Sequence, residues 1–321
     1  MRKTLFIATI VLIAVSCGRK GQQQAQATTE PASTPAAALR AQFPMPEIPI
    51  LVEDGEARLD YTAAHYWDAF LADEASFTTD SLHVGGLVND AFEKAMGTFA
   101  TVLNMLPVEK AAGYVSALFP KVRQSGIFTP FTKCLSRYLY DPNSPTRNED
   151  LWLPYVSALA ECEELSPEER HSYAFEAEMC SLNRTGTIAA DFSFTDTKGH
   201  QRTLHGIKAE YTLLIFGNPG CHACQEIVMN MESDERLSSM VSSGRLVVVD
   251  IYIDNEIDEW KAHTSDYPST WLNGFDHNYI IRRDRIYNVR AIPSIYLLDR
   301  DKRILLKDAP EDRLFDKLTT L

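Results

Sequence analysis

The chain has 321 residues, of which 45% are hydrophobic and 23% charged, and its formal net charge at pH 7 is −13. Such a composition suits a folded globular protein. An acidic balance with no basic stripe excludes nucleic acid as an obvious partner, because phosphates need Lys and Arg to displace their counterions.

Arg2 and Lys3 are followed by the apolar run Leu5 to Val15, LFIATIVLIAV, and then by Ser16-Cys17-Gly18. A basic start, an apolar stretch too short to span a bilayer and a small residue before a cleavage point describe a signal peptide over residues 1–16. Cys17, directly after Ala14-Val15-Ser16, resembles the lipid-acceptor cysteine of bacterial lipoproteins, although such signals usually carry Leu where Ala14 stands. The resemblance implies cleavage before Cys17, lipidation there, and a periplasm-facing lipoprotein anchored in the cell envelope. The plainer alternative is an ordinary signal peptide with a stray cysteine. Residues 17–46 are rich in Gln, Ala, Thr, Ser and Pro and read as a flexible tether, with too little apolar surface to offset the entropy of ordering.

From 47 to 185 the pattern is helical. Val88, Phe92, Met96, Phe99, Leu103 and Leu106 form one stripe; Val108, Ala111, Ala112, Val115, Leu118 and Phe119 form another, which Pro120 should end. Asp141-Pro142-Asn143-Ser144-Pro145 reads as a break, and Ser166-Pro167-Glu168-Glu169 as a capped helix start. Five or six helices and little strand are expected.

From 186 to 321 the grammar changes to α/β. Phe192 and Phe194 alternate with polar residues, Lys198-Gly199 supplies a turn, and a second strand follows near Arg202 to Leu204. Tyr211 to Phe216 and Leu246 to Ile253 are nearly unbroken apolar runs, as in strands buried on both faces. Gln225 to Ser243 between them reads as one helix ending at Gly244. After a middle helical region come a strand at Ser294 to Leu298, a turn at Asp299 to Lys302, a strand at Arg303 to Leu306 and a terminal helix near Pro310.

The first central strand ends in Asn218-Pro219-Gly220-Cys221-His222-Ala223-Cys224. A zinc site, a structural disulfide and a redox centre all use Cys-x-x-Cys. Structural zinc needs four ligands, usually with a second close pair, and Cys134, Cys162 and Cys180 are far apart in sequence. A permanent disulfide across so short a loop stabilises little. Setting Cys17 aside leaves five cysteines, so at least one has no permanent partner within the chain. Cys134 reads as a buried thiol, and a Cys162–Cys180 bridge is open to an exported protein.

The order of these elements, with Cys-x-x-Cys after the first central strand and Ile292-Pro293 opening the last hairpin, resembles the thioredoxin fold over residues 188–321. The leading hairpin ADFSFTDTKGHQRTL is similar to that of the membrane-tethered TlpA/ResA group. The helical half, with His65-Tyr66-Trp67-Asp68-Ala69-Phe70, resembles a helical domain of unknown function joined to such domains in lipoproteins. The expected architecture is therefore an α/β thioredoxin-like C-terminal domain preceded by an all-α domain.

The resemblance implies a thiol–disulfide oxidoreductase acting on protein clients, with no diffusible cofactor and a membrane redox partner that recycles the cysteine pair. Cys221 falls in the first turn of the following helix, where free N–H groups and the helix dipole favour the thiolate. It is the expected nucleophile, and the more buried Cys224 the resolving thiol. His222 and Ala223 between them are expected to tune the couple, with a solvated loop histidine as the plainer alternative for His222. Pro293 is expected to be cis and to face the pair, and Ile292 to meet an extended client.

Three features depart from the family pattern. Gly220 stands where thioredoxins carry Trp, Ile215 occupies the position of the usual buried acid, and Ile227 that of the acid of some TlpA/ResA relatives, with Glu226 only adjacent to it. No general base is assigned to Cys224. That gap favours a rival from another class, a tethered binding lipoprotein whose helical domain recognises a partner and whose second domain is a scaffold.

Overall fold

The computed structural model describes residues 45–72, 83–84, 87–88 and 90–321. The signal peptide, Cys17 and nearly all of the tether lie outside them. Among the described residues no helix is long and apolar enough to cross a membrane.

The N-terminal half is built from α1 (Gly55–His65), α2 (Asp68–Ala72), a two-residue hairpin of β1 (His83–Val84) and β2 (Leu87–Val88), then α3 (Asp90–Asn104), α4 (Val108–Arg123), α5 (Phe128–Leu139), α6 (Glu149–Ala160) and α7 (Pro167–Ser181). There are thus seven described helices where the pattern suggested five or six. Val88, counted in the stripe of α3, belongs instead to β2. Pro120 does not end α4. The helix runs one turn past it, because Phe119 and Val122 are buried on either side and anchor that turn. Pro120 removes only one N–H donor from the ladder.

Trp67 packs its ring 5.0 Å from Phe131 and 5.7 Å from Phe99, joining the α1–α2 corner to α3 and α5. Burying such a ring stabilises the fold by about 2–3 kcal/mol. Ser166 caps α7 reciprocally: its Oγ accepts the Glu169 N–H at 3.2 Å, and its own N–H donates to Glu169 Oε2 at 2.9 Å.

The C-terminal half is a seven-stranded mixed sheet in the order β4-β3-β7-β6-β5-β8-β9. Its strands are β3 (Ser193–Asp196), β4 (Gln201–Thr203), β5 (Tyr211–Gly217), β6 (Leu246–Tyr252), β7 (Leu272–Phe275), β8 (Ser294–Leu298) and β9 (Ile304–Leu306). β5 runs parallel to β6 and antiparallel to β8. The helices α8 (His222–Ser233), α9 (Glu235–Ser242) and α12 (Glu311–Leu318) cover one face over Leu213, Ile215, Leu246 and Val248; the short α10 (Ile257–Ala262) and α11 (Ile280–Arg283) lie in the segment around β7. The other face buries Phe192, Phe194, Phe216, Tyr287 and Tyr296.

Two expectations are corrected here. The helix read as continuous from Gln225 to Ser243 is two helices, because Asp234 leaves helical geometry and its carboxylate caps Leu237 N–H at 2.7 Å. The middle region also contains a strand, β7. Its Asn273-Gly274 reads as a turn, yet Gly274 is there because a Cβ would meet Phe194 Cδ2 at 2.5 Å and the Thr195 carbonyl at 2.9 Å. Only glycine lets β3 lie this close.

The two halves meet at the start of α6. Glu149 is buried, with Oε1 2.8 Å from Arg290 Nε and 2.7 Å from Asn288 Nδ2, and Oε2 2.8 Å from Lys307 Nζ. Lys307 also donates to the Cys180 and Leu182 carbonyls at 2.6 and 2.7 Å. Arg290 continues to Asp308 at 3.0 Å, and Asp308 accepts from Ser294 Oγ at 2.7 Å. Cys162 and Cys180 are separate buried thiols, and Cys134 is likewise free and buried.

A buried ion that loses its partner is far more costly than an exposed one. Glu149→Ala leaves Lys307 without a buried anion and should cost about 3–5 kcal/mol. Lys121→Ala removes only a half-exposed contact to Asp68 at 2.9 Å and should cost under about 1 kcal/mol. Equilibrium denaturation compares the two, and equal losses would mean that the buried cluster does not hold the halves together.

Candidate functional site

The site forms where β5 runs into α8. Asn218 shapes the turn: its Oδ1 accepts the Gly220 N–H at 2.8 Å, its carbonyl accepts the Cys221 N–H at 3.0 Å, and its Nδ2 donates to Asp254 at 3.1 Å. Gln225 reaches back to the Pro219 carbonyl at 2.9 Å. Cys221 is the N-cap of α8 and not, as expected, inside its first turn. Its Sγ accepts the Cys224 N–H at 3.3 Å. Sulfur thus sits against the unpaired N–H groups of a twelve-residue helix, where negative charge is favoured.

The two thiols differ in surroundings. Cys221 is partly exposed, whereas Cys224, one turn on, is buried. Burial, and then its hydrogen bond with Cys221, pushes the Cys224 thiol well above its ordinary value. Facing Cys221 from the far side of the cleft is the Ile292 carbonyl, 3.8 Å from Sγ. The Ile292–Pro293 bond is cis, the isomer that the resemblance implies. His222 is 84% exposed and sets Nδ1 3.5 Å from Glu226 Oε1, one helical turn along. Ala223 and Ile292 both line a groove of 630 Å³ beside the pair.

Asp250 is the residue that motif reasoning missed. It lies on β6 in register with Ile215 of β5, so the acid absent from the expected position stands one strand away in the same row. Alternation along β6 places it with Leu246 and Val248 on the face beneath α8. Its charge is felt by both Cys224 and Tyr267. Gly217 makes room for it, since a Cβ there would sit 3.1 Å from Asp250 Oδ2.

Burial pushes the Asp250 carboxyl up to about 7. On its other side, in register, is Asn273, whose Oδ1 is buried without a hydrogen-bond partner. A neutral acid carries the donor such an oxygen needs, and a carboxylate does not. The signal was visible as one acid inside the apolar run LVVVDIYI, but nothing in a single sequence says which strand it will lie beside. Among the described residues no group of three or more His, Cys, Asp or Glu side chains is arranged to hold a metal ion.

Residues 16–183 match the model of a domain of unknown function, DUF5106. The crystal structure of a thioredoxin-like protein from Bacteroides caccae is similar at 32% identity, covering 87% of this chain and 98% of that one with a TM-score of 0.74. A C-terminal domain of an uncharacterized protein from Bacteroides fragilis is 42% identical over 43% of this chain and 98% of its own, with a TM-score of 0.42. The thioredoxin domain of a Bacteroides vulgatus thiol–disulfide oxidoreductase is 21% identical over 43% of this chain and 96% of its own, with a TM-score of 0.38. No curated protein matches the chain. A largely helical half that matches DUF5106, followed by a mixed sheet with a Cys-x-x-Cys helix, is the architecture seen here, and the chain belongs to the thioredoxin-like proteins, with the DUF5106 domain as its N-terminal part.

Proposed function

We propose that the protein is an extracytoplasmic thiol–disulfide oxidoreductase that exchanges disulfides with protein clients. The observation that carries this is the position of Cys221: an accessible sulfur at the N-cap of α8, 3.3 Å from the Cys224 N–H and 3.8 Å from the Ile292 carbonyl beside Pro293. A structural cysteine would be buried and inert by contrast.

In the reducing direction the Cys221 thiolate attacks one sulfur of a client disulfide. A mixed disulfide forms, and the second client sulfur leaves as thiolate. Cys224 then gives its proton to the Asp250 carboxylate and attacks Cys221 Sγ. The client is released with both cysteines reduced, and Cys221–Cys224 holds the new disulfide. Two electrons have passed to the client, and a membrane redox partner must return them. The oxidising direction is the same path reversed. Asp250 suits this step because a proton acceptor works best when its pKa lies near the working pH, and its value is about 7.

Ile292 and Pro293 shape the client groove, while His222 and Ala223 adjust the couple. The basic, apolar and small-residue sequence before Cys17 supports export and lipidation, which would hold the domain at the envelope. The rival reading, a binding lipoprotein with a vestigial pair, drew on the want of a buried acid, and Asp250 supplies one.

Cys221→Ser should abolish exchange, and Cys224→Ser should accumulate clients as mixed disulfides; parent-like turnover by both variants would end the enzymatic reading. Asp250→Asn should slow release of the mixed disulfide by about a hundredfold, seen by acid-quenched gel analysis of a single turnover. The same variant has a stability signature. Between the ordinary carboxyl value of 3.8 and about 7, the folded protein keeps a proton that the unfolded chain has lost. This group's contribution to stability is therefore complete below about pH 4 and falls as pH rises through 7. Relative to the parent, Asp250→Asn should gain up to about 1.4 kcal/mol per pH unit across that window. Urea unfolding of both proteins at pH 5 and pH 8 tests it, and an unchanged gap would show that Asp250 is not titrating there.

A further inference from the structure

The 630 Å³ groove beside the cysteine pair has walls from both halves of the molecule. One wall is α8, with Ala223, Glu226 and Asn230, and the back is Ile292-Pro293. The opposite wall is the segment between α5 and α6, where Pro142, Asn143 and Arg147 come from the helical half. Pro142 and Asn143, read from sequence as part of a helix break, thus line the groove beside the cysteine pair.

Arg147 holds this wall in place. Its Nε donates to the Asp308 carbonyl at 3.0 Å and its Nη2 to the Ala309 carbonyl at 3.1 Å, while Nη1 donates to the Ser144 carbonyl at 3.4 Å. Its charge faces the Asp308 carboxylate at 3.8 Å. The guanidinium is therefore engaged within the protein. The anions of the groove are less well matched. Glu226 is exposed, with His222 beside it and the Glu311 charge near enough to repel its own. Glu311 Oε2 accepts from Asn230 Nδ2 at 3.1 Å, and its Oε1 is buried without a hydrogen-bond partner.

We infer that the groove selects an extended client segment carrying Lys or Arg close to its reactive cysteine, held between α8 and the Pro142–Asn143 wall of the helical half. Both its charge and its span support this. Ala223 to Asn230 is about 10 Å at 1.5 Å per residue, or roughly three residues of extended chain. A client cation within about three positions of the cysteine meets Glu226 or Glu311. Apolar contacts to Ile227 and Ile292 tolerate varied side chains between them. The role of the helical half is then to narrow the range of clients. This inference rests on the exchange activity proposed above.

The test uses the reduced, folded protein and three probes: hydroxyethyl disulfide, and two synthetic peptide disulfides that differ only by Lys or Glu two residues from the cysteine. The parent should react with the Lys peptide about three to ten times faster than with the Glu peptide at low salt. The double variant Glu226→Gln, Glu311→Gln should bring that ratio close to one. Asn143→Trp, at an exposed position on the wall, should lower the peptide rates relative to the hydroxyethyl disulfide rate by at least about tenfold. Reaction with all three probes but no charge preference, or a proportional loss on all probes in Asn143→Trp, overturns the composite groove and leaves exchange standing. No reaction with any probe overturns exchange itself.

Discussion

Glu149 is a carboxylate buried between Lys307 and Arg290, and the arrangement of the two halves depends on it. A charge taken out of water is tolerated only when it is paired and its remaining valences are met. Here Lys307 is further satisfied by two carbonyls at the end of α7, and Arg290 by Asp308 and by stacking over the Tyr140 ring at 4.1 Å. Apolar packing alone would allow the halves to slide. Buried ion pairs favour one register, and in that register Pro142 and Asn143 stand opposite α8.

The same cluster reaches the active centre along the chain. Asp308 accepts from Ser294, the residue after Pro293, while Arg290 lies three residues before Pro293. The loop that presents the Ile292 carbonyl to Cys221 is therefore held from both sides by charges whose counter-ions belong partly to the helical half.

The cysteine pair itself shows how position divides identical side chains. Cys221 at the helix mouth is partly exposed to solvent and accepts an N–H, and Cys224 a turn later is buried where the charge of Asp250 is felt. Burial makes both Cys224 and Asp250 reluctant to ionise. Moving the acid from the β5 position to β6 preserves this relation because parallel pairing puts Ile215 and Asp250 side by side. Gly217 leaves the space that the carboxylate fills.

Local patterns were enough to read the two-part architecture, the buried strands β5, β6 and β8, the capping of α7 and the Cys-x-x-Cys at a strand-to-helix junction, since each depends on residues near one another in the chain. Where a distant contact overrides local preference, the reading failed. α4 passes Pro120 because of burial on both sides of it, and β7 forms through an Asn-Gly pair because Phe194 needs the space of Gly274. The amino-acid sequence determined by itself the Cys-x-x-Cys spacing at a strand-to-helix junction, because spacing, helix entry and burial pattern are local properties. The identity of the buried acid, the pairing of Glu149 and the second wall of the groove were decided only by tertiary structure, since each depends on strand register or domain docking between residues 35 to 161 positions apart, where one-dimensional patterns carry no geometry.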